Sequence, residues 1–247
     1  MNFSEWRVPI ALIISLLLAI GFGFFIKNTE PPIADLRIQK TLSKPDLQQQ
    51  LGYGGTLSIL GGFSSLLGDF LWLKVYQDWR ECQIISTEFW VKTALQLQPD
   101  SLVAWQNAIQ IIGRDIPVWR IDEIGWFPKV MEETRNQIMT EQAFKALDLI
   151  ESALEFFPNS YQLYLDRAHF YNLKIKDSEK CAQAYRDAWN TGEAPPNIYR
   201  IYTQKLMENG KKNQARKFLE KVLQHYQEKG NQEEVFYILE YLQNVNQ

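Results

Sequence analysis

ALEFFPNSYQLY (Ala153–Tyr164) lines up with an earlier stretch of the same chain, ALQLQPDSLVAW (Ala94–Trp105). Its second half lines up again further on: PNSYQLY (Pro158–Tyr164) matches PNIYRIY (Pro196–Tyr202). A second pattern runs through the same regions, small-x-x-x-large-x-x-small. It occurs as Ala146, Ile150, Ala153, then as Cys181, Tyr185, Ala188 and as Ala215, Leu219, Val222; Thr87, Val91 and Ala94 fit the same frame. Small residues let two helix axes approach, and a large one fills the hole beside them. From Leu57 onward nearly all of the sequence has helical period, and no Asn-Gly or Asp-Gly turn stands between alternating apolar runs. The expectation is an all-α chain with essentially no sheet.

These residues resemble the tetratricopeptide repeat, two antiparallel helices per unit of about 34 residues, with small residues at the crossing and a proline closing the second helix. In that frame Tyr164, Ala168 and Tyr171 take first-helix positions of one repeat, Tyr199 opens the next, and Gly210 sits at its inter-helix turn. The resemblance covers residues 85–228, with several Trp and Gly consensus positions replaced and unequal spacing between repeats. It implies an α-solenoid and leaves the partner open, since such repeats host very different partners. The unequal spacing marks an insertion, Gly113–Thr140, with Pro117, Pro128, Trp119 and Trp126. It reads as an irregular segment that bends across one face and tucks its tryptophans in. Gln232–Val245, with Val235, Ile238, Leu239 and Leu242 on one side, reads as a capping helix within 231–247.

Upstream, LGYGGTLSILGGFSSLLGDFLWLKVYQ (Leu51–Gln77) admits three readings. As a phosphate loop it lacks a Gly-Lys-Ser/Thr after the glycines and a strand before them. As a membrane span it is diluted by Gly, Ser, Thr and Asp69, and it runs straight into Lys74, Asp78, Arg80 and Glu81. The third reading is a helix from Ile59 to Glu81, apolar nearly all round and covered on several sides. Asp69 would then need a partner, with Arg37, Arg114 and Arg120 as candidates, or a capping role. Gly61, Gly62, Phe63, Asp69, Leu71, Trp72 and Leu73 resemble the opening of bacterial single-span tetratricopeptide proteins of no assigned activity, although Ser64 and Ser65 replace the arginine and glycine common there.

Val8–Ile26 is a run without a charge, between Arg7 and Lys27. As a helix it would be roughly 28 Å long, close to the ~30 Å hydrocarbon core of a bilayer. It exceeds a cleavable signal's apolar region, and no A-x-A-like site follows, so it reads as an uncleaved signal anchor over residues 1–27. Arg7 and the free amine against Glu5 slightly favour an N-terminus inside, with residues 28–247 on the external, periplasmic side of an inner or plasma membrane, while Lys27, Arg37, Lys40 and Lys44 on the other flank pull the opposite way. Asn28–Gln50, with Pro31, Pro32 and Pro45, belongs to a linker over 28–56, ahead of a repeat domain over 57–247.

A net charge of −3 supplies no global basic field for nucleic acid. The local cluster Lys205, Lys211, Lys212, Arg216, Lys217 and Lys221 alternates with Glu208 and Glu220 and reads as a solvated helix face. Cys82 and Cys181 form no C-x-x-C; they read as free thiols, with one long-range disulfide in an oxidising compartment as the alternative. His169 and His225 lie in separate repeats without converging partners, Asp166 being three residues from His169. Glu132–Glu133 and Glu233–Glu234 are adjacent pairs that point to different helix faces. No G-x-S-x-G, H-E-x-x-H or EF-hand loop occurs. The expectation is therefore no catalytic residue, no metal and no cofactor.

The function these features imply is a membrane-anchored helical-repeat adaptor that binds a partner protein in an envelope complex. Candidate contacts are Tyr164, Tyr171, Tyr199, Tyr202, Arg167 and Arg200, aromatics as anchors and arginines for carboxylates. For each tyrosine, packing within its own repeat is the competing role. Two other functions fit: a structural subunit of a transport, secretion or pilus assembly packing through Leu51–Gln77, and a small-ligand binder using Trp119 and Trp126.

Overall fold

A computed structural model of the chain describes residues 64–246. The Val8–Ile26 run, the linker and Gly61, Gly62 and Phe63 lie outside the described residues. Among the described residues all regular structure is helical, as expected, and no helix is long and apolar enough to cross a membrane. The chain divides into two compact units, Met1–Ala104 and Trp105–Gln247, a division that falls inside the stretch expected to be one repeat domain.

The described residues of the first unit form a helical hairpin of α1 (Ser64–Arg80) and α2 (Ile84–Leu97). Trp72 and Val75 on α1 and Val91, Ala94 and Leu95 on α2 are buried. Asp78, buried beside them, accepts hydrogen bonds from Lys74 and from the Ser86 hydroxyl. These donors hold its carboxyl below the usual range, Lys74 first. The α1–α2 turn closes with Cys82 in the left-handed region (φ 54) and the Gln83 N–H on the Asp78 carbonyl at 2.9 Å. The outer side of α1 differs from expectation. Leu66, Phe70 and Leu73, at helical spacing, are 52%, 59% and 64% exposed, so α1 is not covered on several sides by described residues.

The second unit begins within α3 (Leu102–Gln110). It continues through a π-helical turn (Ile111–Asp115) into α4 (Ile116–Ile124) and a 3₁₀ turn at Phe127–Lys129. Then come α5 (Glu132–Phe156), α6 (Tyr161–Phe170), a second π-helical turn (Tyr171–Ile175) and α7 (Ser178–Asn190). The chain finishes with α8 (Asn197–Glu208), α9 (Lys212–Glu228) and α10 (Gln232–Asn246). From α5 onward each helix packs on the next. The small-residue sets lie at those crossings: Ala146, Ile150, Ala153, Cys181, Ala188, Ala215 and Leu219 have no exposed surface. Gly113 allows a closer approach still, since a β-carbon there would fall 2.3 Å from Cζ of Phe170 and 2.8 Å from Cβ of Ala146.

The aligned stretches fold alike. After α2, Gln98 (φ −127°, ψ 53°) donates to the Ala94 carbonyl at 3.0 Å, and Ser101 N–H reaches the Gln98 carbonyl at 3.2 Å. After α5, Phe157 (φ −125°, ψ 62°) donates to Ala153 at 2.9 Å, and Ser160 N–H reaches Phe157 at 3.1 Å. The proline after each cap residue forbids a helical continuation, which is why one sequence frame yields one turn.

The region read as an irregular insertion is mostly helical. Pro117 lies in the first turn of α4, where a missing N–H costs nothing, and Glu132 already opens α5. Trp126 is not tucked in but 68% exposed, with the Lys129 ammonium 5.8 Å from its ring centroid. In α10, Val235, Ile238 and Leu242 face the core together with Tyr241, whereas Leu239 is turned outward. Cys82 is exposed, Cys181 is buried, and both are free thiols.

Candidate functional site

Two π-helical turns bring one cation each to the same neighbourhood of the second unit. A π turn carries one residue more than an α turn, so the side chains after it are rotated off the helical repeat. It also loosens backbone carbonyls, which then need other donors. Helix α5 supplies them for both turns. Thr140 Oγ1 donates to the Lys174 carbonyl at 3.3 Å. With its amide nitrogen turned toward the first π turn, buried Gln142 donates to the Ile112 carbonyl at 3.3 Å and accepts from Arg120 Nη1 at 3.2 Å. The first turn thereby presents Arg114 and the second Lys174, while α6 presents Asp166 and His169.

The charges in this cluster do not balance. Arg114 Nη2 stands 3.8 Å from Asp166 Oδ1, an ion-pair distance too long for a hydrogen bond. Arg114 Nε is buried with no hydrogen-bond partner among the described residues. Lys174 Nζ rests on the Met139 thioether at 3.4 Å, a weak acceptor. The His169 ring packs edge-on against Phe170, centroids 5.8 Å apart. Burial, then the charges of Arg114 and Lys174, push the His169 imidazole below its ordinary value. Burial and Arg114 lower the Lys174 ammonium, while burial raises Asp166 against the pull of Arg114. Two fixed cations and a neutral imidazole thus face one carboxylate. The arrangement can accept one further anion, and among the described residues no cluster could hold a metal ion.

The six residues singled out in the sequence fall into four local settings. Arg167 bridges Glu151 at 3.0 Å and Asp187 at 2.7 Å and lies over the Tyr164 ring at 4.8 Å; the Tyr164 hydroxyl donates to the Pro158 carbonyl at 3.0 Å. Tyr171 carries the Lys180 ammonium over its ring at 5.5 Å. Tyr199 is fully buried; its hydroxyl donates to Glu234 at 2.7 Å and accepts from Arg200 Nε at 3.1 Å. Arg200 also donates to both oxygens of Glu234, at 3.2 and 3.1 Å. Burial pushes the Tyr199 hydroxyl well above its ordinary value. Tyr202 is buried and meets Phe218 edge-on at 4.7 Å.

Of the packing motif, Asp69 and Trp72 are brought together by a residue the sequence did not flag. Gln98 donates to Asp69 Oδ1 at 2.7 Å and accepts from Trp72 Nε1 at 3.1 Å. Of the arginines considered for Asp69, Arg114 instead pairs with Asp166 and Arg120 with Glu141, and Arg37 lies outside the described residues. Lys174 was also missed. Its only sequence signal is the break in helical period after Phe170, visible once the π turn is known. His225 is exposed beside Trp189. Several basic-cluster residues pair with acids, Lys205 with Glu208, Lys211 with Glu179 and Arg216 with Glu220. Comparison with known protein families and with curated proteins gives no match.

Proposed function

We propose that the chain is a membrane-anchored helical-repeat adaptor, similar to tetratricopeptide-repeat proteins, and that Arg114, His169 and Lys174 receive a carboxylate of a partner protein. The observation that carries this reading is the unspent positive charge of that cluster: a part-exposed Arg114 guanidinium 3.8 Å from Asp166, beyond hydrogen-bond reach, and a Lys174 ammonium on a thioether. A carboxylate cancels the net charge left after Asp166 and gives Lys174 and the outer Arg114 nitrogens an acceptor, which makes its hydrogen bonds charge-assisted. Support for the repeat comes from the twice-used cap turn and the buried small residues at successive crossings. Support for the anchor comes from the uncharged Val8–Ile26 run between Arg7 and Lys27. The Tyr164–Arg167, Tyr171–Lys180, Tyr199–Arg200–Glu234 and Tyr202–Phe218 contacts are then supports that hold the surrounding helices.

A photo-crosslinking amino acid in place of Leu173, exposed and next to Lys174, tests the reading in native membranes carrying the full chain. The expected result is one discrete adduct that disappears in the Arg114→Gln/Lys174→Gln double variant. No adduct, or an adduct indifferent to the double variant, overturns it.

A further inference from the structure

We infer that the outer row of α1 lies on the lipid surface, in the plane of the membrane interface. This rests on the reading of Val8–Ile26 as an anchor and concerns the first unit alone. The row is apolar at helical spacing: Leu66, Phe70 and Leu73, widened by Leu67 and Tyr76, all exposed. Exposed apolar rows of this kind need a cover. Both acids of α1 are engaged elsewhere, Asp69 with Gln98 and Asp78 with Lys74 and Ser86. Asp78 is thereby paired with a cation, while Asp69, exposed and bonded to a neutral amide, keeps its charge beside the row and holds it at headgroup level. Tyr76 and Trp79 stand toward the C-terminal end of the row, with Lys74 and Arg80 beside them. Aromatic rings and long basic side chains are the groups that settle at headgroup level.

Two features of the sequence favour lipid over a protein cover. The chain leading into the row, Leu51–Gly68, contains no charged residue. The span reading puts the same chain in the bilayer at the far end of the 28–56 linker, which raises the local concentration of lipid around α1 whatever partner is present. A protein partner or a second copy would have to displace that lipid. A spanning α1 is disfavoured because Asp69, Lys74, Asp78 and Arg80 would all enter the hydrocarbon.

The test uses the full chain, with Cys82→Ser, reconstituted in phosphatidylcholine/phosphatidylglycerol vesicles. A single environment-sensitive fluorophore is attached at Phe70→Cys or, separately, at Leu73→Cys. Leu16→Cys reports the anchor and Lys221→Cys the aqueous background. Nitroxide lipids labelled near the headgroup or near the chain end serve as quenchers. Phe70 and Leu73 positions should be quenched about threefold more than Lys221, and more by the headgroup-proximal label than by the deep one. Quenching at Leu16 without quenching at 70 and 73 leaves the anchor standing and overturns the lipid seat in favour of a protein cover. Stronger quenching by the deep label at 70 and 73 overturns it in favour of a span. No quenching at any of the three overturns the anchor reading as well.

Discussion

Gly68 and Gln98 touch so closely that a β-carbon on Gly68 would lie 2.5 Å from both Cγ and Cδ of Gln98. The glutamine is held in that position by its bonds to Asp69 and Trp72. Gly68→Ala therefore forces Gln98 aside and leaves the indole N–H and the carboxylate to find water. The expected cost is about 1–3 kcal/mol, the range for overpacking a close contact. Hydrogen exchange should quicken in α1 and α2 and stay unchanged in α8–α10. A Gly68→Ala chain with wild-type exchange in α1 shows that Gln98 is free to move.

The same pair shows where sequence reading stops. The glycines before Asp69 signal close approach, and the helix expected from Ile59 to Glu81 is found over Ser64–Arg80, residues 59–63 lying outside the described ones. Which side chain fills the gap depends on a contact 29 residues away, and Gln98 looks like an ordinary cap residue before Pro99. The repeated caps were legible because they are local, fixed by proline over a few residues. The cluster of Arg114, Asp166, His169 and Lys174 was not, because its parts meet only after two π turns shift the helical phase. Trp126 failed for a related reason. Aromatic content predicts burial on average and says nothing about which ring a mostly helical segment leaves outside.

Four helix ends close with a residue in the left-handed position, three in the same turn and the π end at Tyr171–Ile175 in one a residue longer. Gly210 and Gly230 occupy it at φ 70 and 68, Cys82 and Lys176 at φ 54 and 61. In each, the next N–H reaches back across the turn: Gln83 to Asp78, Asp177 to Tyr171, Lys211 to Leu206 and Asn231 to Tyr226, at 2.8–3.0 Å. A side chain in this conformation costs about 1 kcal/mol relative to glycine. Cys82→Gly and Lys176→Gly should each stabilise the chain by roughly 0.5–1 kcal/mol in chemical denaturation. Glycine's greater freedom in the unfolded chain offsets part of the gain. Destabilisation by either change overturns the assignment of strain to these turns.

Arg200 joins α8 to α10 through both oxygens of Glu234, while its guanidinium lies 4.8 Å over the Tyr237 ring and 5.5 Å over Tyr199. Planarity matters in all of these contacts. Arg200→Lys keeps the charge and loses the fork and the stacking. Its cost should approach that of Glu234→Gln, about 1–2 kcal/mol each, because Glu234 is mostly buried and Arg200 is only a third exposed. Amide exchange in α10 is the readout, since this junction ties α10 to α8. If Arg200→Lys exchanges like wild type while Glu234→Gln does not, charge alone holds the junction.

Acidification should act on His169 in two opposite ways. Its folded value lies below the ordinary 6.5 of a free imidazole, so the unfolded chain takes up the proton first. Stability is then present above that value and falls as pH drops toward the depressed folded value. His169→Gln removes this contribution, and the difference between wild type and variant cancels every other titrating group, including Asp166 with its raised value. The stability difference should favour wild type progressively less between about pH 7.5 and 5.5. A bound carboxylate reverses the sign, because it favours the imidazolium beside Arg114 and Lys174. The adduct captured from position 173 should therefore form more efficiently at the acid end of that range in wild type and show no such trend in His169→Gln. A flat wild-type profile removes His169 from the site and leaves the two cations to hold the anion alone.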